Sequence, residues 1–309
     1  MTRYIARKVL EALVTLIGLS LVVFSAVHMT GDPARMLLPV RIDASEEVYE
    51  ELKEQLGLNR PFMVQYLDFM RGLITKGDFG RSVRSQKEAR HLLMERVPAT
   101  IQLAAAGLFL SFVIGVPAGI LSAVKRDTLA DKIGKAIAIF GLAAPQFWVA
   151  IMVVILFGAY LQWLPVYGSG GPDLFILPSC VLALGPLAAM MRLGRSSMLD
   201  ILDSEFVKFA RVKGMRERIV IWKHAARNAV IPLMTFGGLT LAALLNGSIV
   251  VEQVFAWPGL GRMMIEGVIQ RDMPLVQATV LVSGFFYVVT ALIVDIMYGF
   301  ADPRIRDTN

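Results

Sequence analysis

Six stretches of this chain are apolar for long enough to cross a bilayer, at 9–29, 98–124, 136–160, 174–191, 229–251 and 274–294, and they constrain its fold more than any other feature. A hydrocarbon core about 30 Å thick takes about 20 apolar residues per helical crossing, and a spanning helix satisfies its own backbone hydrogen bonds. At 56% hydrophobic residues over 309, the chain is too apolar for an ordinary soluble domain. The expected fold class is therefore an all-α integral membrane protein with six transmembrane helices. The fourth stretch is the shortest and contains Pro178 and Pro186. The first follows Arg3, Arg7 and Lys8 in the manner of a signal peptide, but its apolar run is too long and no small-x-small site follows, so it is expected to remain as a span.

Charge sets the expected orientation. Lys and Arg number 18 on the side that holds both termini and the 192–228 loop, and 13 on the other, while acidic residues number 9 and 15. By the positive-inside rule both termini and that loop are cytoplasmic. The chain then divides into an N-terminus with the first span (1–30), an external helical segment (31–97) and a core of five spans (98–309). The external segment balances 11 basic against 11 acidic residues and has helix signals. Asp43 and Glu46 form a capping box, Val48, Leu52 and Leu56 recur at four-residue spacing, and Gly57 is a C-cap. A second helix opens at Pro61 and carries Phe62, Tyr66, Phe69 or Met70, and Leu73 on one face, and Gly77, Asp78 and Gly80 then turn the chain. It reads as a small helical cap over the membrane domain.

Chemistry-bearing groups are scarce at membrane depth. Gly238, Ala242 and Asn246 make a small or polar stripe on the fifth span, suited to close helix packing or to lining a pathway. Asp295 lies near the cytoplasmic end of the sixth span, where an ion pair with a basic loop is the expectation. His28, His91 and His224 fall at or beyond the membrane edges, so there is no proton relay, and no Cys or His cluster argues for a metal. Cys180, the one cysteine, reads as a small buried hydrophobe and excludes an internal disulfide.

The segment "SEFVKFARVKGMRERIVIWKHAARN", residues 204–228, carries seven Lys or Arg between apolar spans. Asp200 or Asp203 serves as entry cap, Glu205, Phe206, Phe209, Ala210 and Val212 interleave with basic residues, and Gly214 ends the first helix. A second helical stretch with Ile219, Ile221 and Trp222 leads into span five. Two short basic helices on an inner face fit either a lipid-surface anchor or a docking surface for a cytoplasmic partner.

The loop resembles the cytoplasmic loop of the permease subunits of ATP-binding-cassette importers, whose general form is E-A-A-x-x-x-G followed ten residues later by I-x-L-P. Lys208, Phe209, Ala210 and Gly214 occupy its first half, so its glutamate and first alanine are missing, and His224, Ala226 and Arg227 stand where I-x-L-P would be. "FARVKG" and "HAARNAVIP" are similar to the variant found in the dipeptide, oligopeptide and nickel permease group, and so are "LGLNRPFMVQYLDFMRGLITKGDFGRSV", "VPATIQLA", "RSSMLDIL", "VVEQVFAWPGLGR", "RDMPLVQ" and "DPRIR". The chain is identified as a member of that group, as its first, B-type permease.

The resemblance implies a type I importer permease fold in a bacterial inner membrane, importing short peptides. Nickel, metal chelates and glutathione are alternative solutes. Implied partners are a second, homologous permease, two cytoplasmic ATPase subunits, an external or periplasmic binding protein and the bilayer, with no nucleic acid. Glu205, Phe206, Lys208, Phe209, Ala210, Arg211, Lys213, Gly214, Met215, His224, Arg227 and Asn228 would couple to the ATPases. Glu252, Phe255, Trp257, Pro258, Gly259, Gly261 and Arg262 would form an external gate or binding-protein contact, although Trp257 by itself reads as an interfacial aromatic anchor. No G-x-x-x-x-G-K-S/T loop is present, and Gly134 and Lys135 lack its flanks, so ATP and magnesium belong to the partners and this chain is a non-catalytic pore subunit. An ATP-independent secondary transporter would need buried carboxylates or paired broken helices, and only Asp295 is on offer.

Overall fold

The computed structural model describes residues 2–30, 46–55 and 57–301. Apart from an isolated bridge between Arg81 and Glu88, the regular elements among them are helices. They are α1 (Thr2–Thr30), α2 (Glu46–Gln55), α3 (Phe62–Lys76), α4 (Ala89–Val124), α5 (Leu129–Ala143), α6 (Gln146–Tyr160), α7 (Pro172–Leu202), α8 (Glu205–Val212), α9 (Glu217–Asn246), α10 (Ile249–Val254), α11 (Leu260–Ile269) and α12 (Met273–Ala301). Five helices, α1, α4, α7, α9 and α12, are long and apolar enough to cross a membrane.

The expected third span, 136–160, is not one straight helix. α5 and α6 meet at 103°, because Ala144 and Pro145 adopt extended backbone and Pro145 opens α6 rather than continuing α5. The expected fourth span proves to be longer than its apolar run, a helix of 31 residues from Pro172 to Leu202 with both prolines inside it. Neighbouring helices on several sides tolerate what an isolated helix would not. α4 begins at Ala89, inside the segment that the sequence assigned to the external unit, and widens to a π turn at Ser111–Gly115 next to Pro117. The fifth span ends earlier than expected, and 249–254 forms the separate α10.

Glycines bring α4, α5 and α7 together. A Cβ on Gly119 would lie 2.4 Å from the Met191 carbonyl, one on Gly115 2.7 Å from that of Leu187, and one on Gly141 2.8 Å from Ala188 Cβ. The Ser111 hydroxyl also donates across to Ala183 O at 3.2 Å. Around this centre sit two main cores. One, at the C-terminal end of α7, joins Ile120, Ala123, Met190, Met198, Val207, Ala210, Val220 and Leu233, and the other, toward its N-terminal end, joins Leu103, Leu177, Leu182, Val251, Phe255 and Trp257.

α1 lies along α12. A Cβ on Gly284 would collide with Leu19, Tyr4 Oη donates to Asp295 O at 3.0 Å, and Lys8 Nζ pairs with Asp295 Oδ2 at 3.0 Å. The partner of Asp295 is thus the first helix rather than a loop, because the two terminal helices pack side by side. The other end of α1 holds α3: Phe24 is ringed by Phe62, Tyr66 and Phe69, Tyr66 Oη and Ser20 Oγ are 2.8 Å apart, and His28 Nε2 meets Gln65 Oε1 at 3.0 Å. Pro61 precedes α3 and Gly77 closes it at φ +63°, as the sequence indicates. Gly57, at φ +67°, follows α2 with Gly57 N and Leu58 N bonded to Glu54 O and Lys53 O, a Schellman turn. The Asp43 capping box and the "DPRIR" tail lie outside the described residues, as do the side chains of Val48, Leu52 and Leu56.

Candidate coupling helix and gate loop

α8 shows two faces. Val207 and Ala210 point into the core shared with Met198 and Val220, and Met215 packs against the same cluster. Phe206, Phe209 and Val212 are 46%, 65% and 83% exposed, an apolar ridge on the opposite face. Ser204, not Asp200 or Asp203, occupies the N-cap position, and Asp203 instead terminates α7. The helix closes in a Schellman turn: Gly214 N bonds Arg211 O at 2.9 Å and Met215 N bonds Ala210 O at 3.3 Å, with Gly214 at φ +74°. Nothing lies within 4 Å of a Cβ built on Gly214, so backbone conformation alone requires glycine there.

A bidentate pair spans that turn. Arg211 Nη2 and Nε donate to Glu217 Oε1 and Oε2 at 2.8 and 3.3 Å. The carboxylate raises the already high guanidinium pKa, as Glu205, 2.8 Å away, does for the Lys208 ammonium. Lys213 is exposed, as are Arg227 and Asn228. His224 sits in a π turn at Val220–Ala225 with its Nε2 buried and without a hydrogen-bond partner.

The candidate gate loop closes over a buried carboxylate. Glu252 is 0% exposed, and its Oε1 accepts from the Thr100 and Ser248 hydroxyls at 2.8 and 2.7 Å while Oε2 accepts from Arg262 N at 3.0 Å. Thr100 Oγ1 also accepts from Leu260 N at 2.8 Å, and Trp257 N donates to Glu252 O at 2.8 Å. Gly259 and Gly261 are needed here, since a Cβ on either would sit 2.2 Å or 3.0 Å from the carboxylate. Phe255 and Trp257 are buried, and Trp257 Nε1 donates to Ala99 O at 3.0 Å. Trp257 is therefore a core residue rather than an interfacial anchor, because its ring packs against Phe175 in the core that holds Leu103, Leu182 and Phe255. Arg262 reaches Glu266 and Ala256 O. Beside this loop a cleft of about 880 Å³ is lined by residues including Glu95, Gln102, Phe109, Ser169, Phe175, Trp257 and Pro258.

The stripe on α9 divides. Gly238 lies against Val294 of α12 and Ala242 is buried, whereas Asn246 lines a cavity of about 330 Å³ between α1, α9 and α12.

Two further carboxylates were not singled out from the sequence. Asp272, 1% exposed, accepts from Ser82 Oγ at 2.5 Å, from Val83 N and Arg84 N at 3.1 and 3.2 Å, and from Leu275 N at 3.3 Å. It caps α12 and ties the 78–88 turn to the core, and Asp followed by Met-Pro at a helix start was its signal. Asp131, 0% exposed, receives Arg195 Nε and Nη2 at 2.8 and 3.0 Å, Lys135 Nζ at 2.8 Å, Ser122 Oγ at 2.5 Å and Asp127 N at 3.0 Å. Only its four-residue spacing from Lys135 was legible in the sequence.

Residues 115–307 match the family described as the binding-protein-dependent transport system inner membrane component, and residues 1–104 match that family's N-terminal component. The chain belongs to this family. The permease is 36% identical to the dipeptide transport system permease protein of Alkalihalophilus pseudofirmus, covering 99% of this chain and 100% of that one. It is also 36% identical to the glutathione transport system permease protein of Escherichia coli K12, covering 99% of each. Among solved structures, two inward-facing forms of the MetNI methionine ABC transporter align with TM-scores of 0.53 and 0.51 at 20% and 18% identity, over 69% and 66% of this chain and 94% and 95% of theirs. These establish the fold of an importer permease, and the permease is a multi-pass inner membrane protein.

Proposed function

We propose that this permease forms half of the translocation pathway of an ATP-driven importer for short peptides, glutathione among them, and that α8 is its coupling helix. The supporting observation is the two-faced α8. Val207 and Ala210 root it in the core of α4, α7 and α9, while Phe206, Phe209 and Val212 stand exposed at its tip. An apolar, aromatic ridge with charged flanks is the form that anchors in a partner's groove. The Schellman turn and the Arg211–Glu217 pair stiffen the connection into α9, so a push on the ridge moves the helices above it. The partners in this reading are a homologous permease, two cytoplasmic ATPase subunits that carry ATP and magnesium, and an external binding protein. Both termini and α8 face the cytoplasm, and the loop around Glu252 faces outward toward the binding protein. Relatives named for dipeptides and for glutathione are equally similar, which supports a peptide-sized solute.

The test uses the complete complex in a Cys180→Ser background. Phe209→Cys is expected to crosslink to an ATPase subunit through a short bifunctional reagent, whereas Ile269→Cys, exposed at the far end, is not. Crosslinking of Phe209→Cys to phospholipid alone would overturn the assignment.

A further inference from the structure

We infer that Asp131 and Arg195 form a positioning clamp that carries the motion of α8 to the bent α5–α6 pair. The inference rests on the coupling role of α8 proposed above. α8 shares its core with α4, α7 and α9, but no residue of α5 is a buried member of that cluster. α5 meets α7 instead through a thin layer of small residues, Ala138 and Ala188 with Met191, and through Gly134 and Gly141. Such a surface permits close approach, yet it offers few interdigitating side chains to resist sliding of one helix past the other. A cavity of about 220 Å³ lies in the same seam, between Ser122, Ala138, Leu142 and Met191.

The clamp supplies what that seam lacks. Its carboxylate is fully buried, and it binds three helices at once: Ser122 of α4, Lys135 of α5 itself, and Arg195 of α7. The guanidinium contact is bidentate, which fixes direction as well as distance. Arg195 lies seven residues before the end of α7, about 10 Å along the axis from the turn into α8. At that level Ile120 and Ala123 of α4 already share a packed core with Met190 and Met198 of α7, so α5 is the helix whose register the clamp decides. A displacement of the C-terminal end of α7 is therefore delivered to α5, and through the 103° bend to α6.

The test reads α5 directly and needs no transported solute. In the complete complex with Cys180→Ser, Leu142→Cys is labelled with a fluorescent maleimide, nucleotide-free and after trapping with ATP and vanadate. With the clamp intact, the labelling rate is expected to change at least threefold on trapping. In Asp131→Asn and Arg195→Lys that ratio is expected to fall below half its value, while the Phe209→Cys crosslink to the ATPase persists. The double variant Asp131→Asn with Arg195→Gln removes the charge imbalance and so restores a merely structural role, but not a directional contact. Its ratio is expected to remain low. An unchanged ratio in the assembled single or double variants, or no change on trapping with the clamp intact, overturns the inference. Loss of the Phe209→Cys crosslink in clamp-intact protein would instead overturn the coupling role of α8.

Discussion

Replacing Glu252 by Ala removes an acceptor at the centre of the 248–262 loop. Three donors lose their partner: the Thr100 and Ser248 hydroxyls and the Arg262 amide. The hydroxyls rotate toward other acceptors, but the amide is fixed, and each bond to a charged group contributes about 1.5–3 kcal/mol. With the hydroxyls relaxed, the stranded amide and the lost bonds together cost about 3 kcal/mol, since these donors are neutral and no buried charge is left unpaired. Glu252→Gln is milder, since its carbonyl keeps the Arg262 amide and its NH2 meets hydroxyls that can accept. For a chain of 309 residues, 3 kcal/mol corresponds to about 5 °C in thermal midpoint. Differential scanning fluorimetry of the purified complex is expected to rank wild type above Glu252→Gln above Glu252→Ala. Gly259→Ala, whose Cβ would sit 2.2 Å from the Glu252 carboxyl carbon, is expected to destabilise the wild type strongly and the Glu252→Ala protein much less. A Glu252→Ala midpoint within a degree of wild type, or additive effects of the two substitutions, would refute the account of the loop as a shell around that carboxylate.

Gly214→Asn is expected to keep ATP hydrolysis coupled to uptake, because Asn tolerates the φ of +74°, while Gly214→Val strains the turn by at least about 1–2 kcal/mol and raises the ATP consumed per solute imported in proteoliposomes. Equal behaviour of the two would show that conformation is not the requirement. Asp272→Ala is expected to free the 78–88 turn, seen as faster amide hydrogen exchange at Val83 and Arg84, with exchange in α8 unchanged. Glu217→Gln, at a pair whose side chains are 41% and 55% exposed, is expected to cost no more than about 1 kcal/mol in thermal stability while loosening the α8–α9 turn, which a spin label at Val212→Cys would report as increased mobility.

Much of the fold was legible along the chain because its signals are local. Length and apolarity define a span without reference to any neighbour, so α1, α4, α7, α9 and α12 were all anticipated. Pro61, Gly77 and Gly214 marked ends because their preferred backbone geometry is intrinsic to them. The α5–α6 bend was harder, since Pro145 sits in an apolar run that reads equally well as one kinked helix.

The candidate site was only half visible for the same reason. The amphipathic ridge of α8 follows from sequence periodicity, whereas burial of Trp257 depends on Ala99 and Phe175, 158 and 82 positions away. The sequence by itself determined a membrane-spanning helical chain with a basic, glycine-ended helix between its fourth and fifth spans. Only the tertiary structure decided that Glu252, Asp272 and Asp131 are buried hubs, because a carboxylate is held in a core by donors that distant segments bring to it.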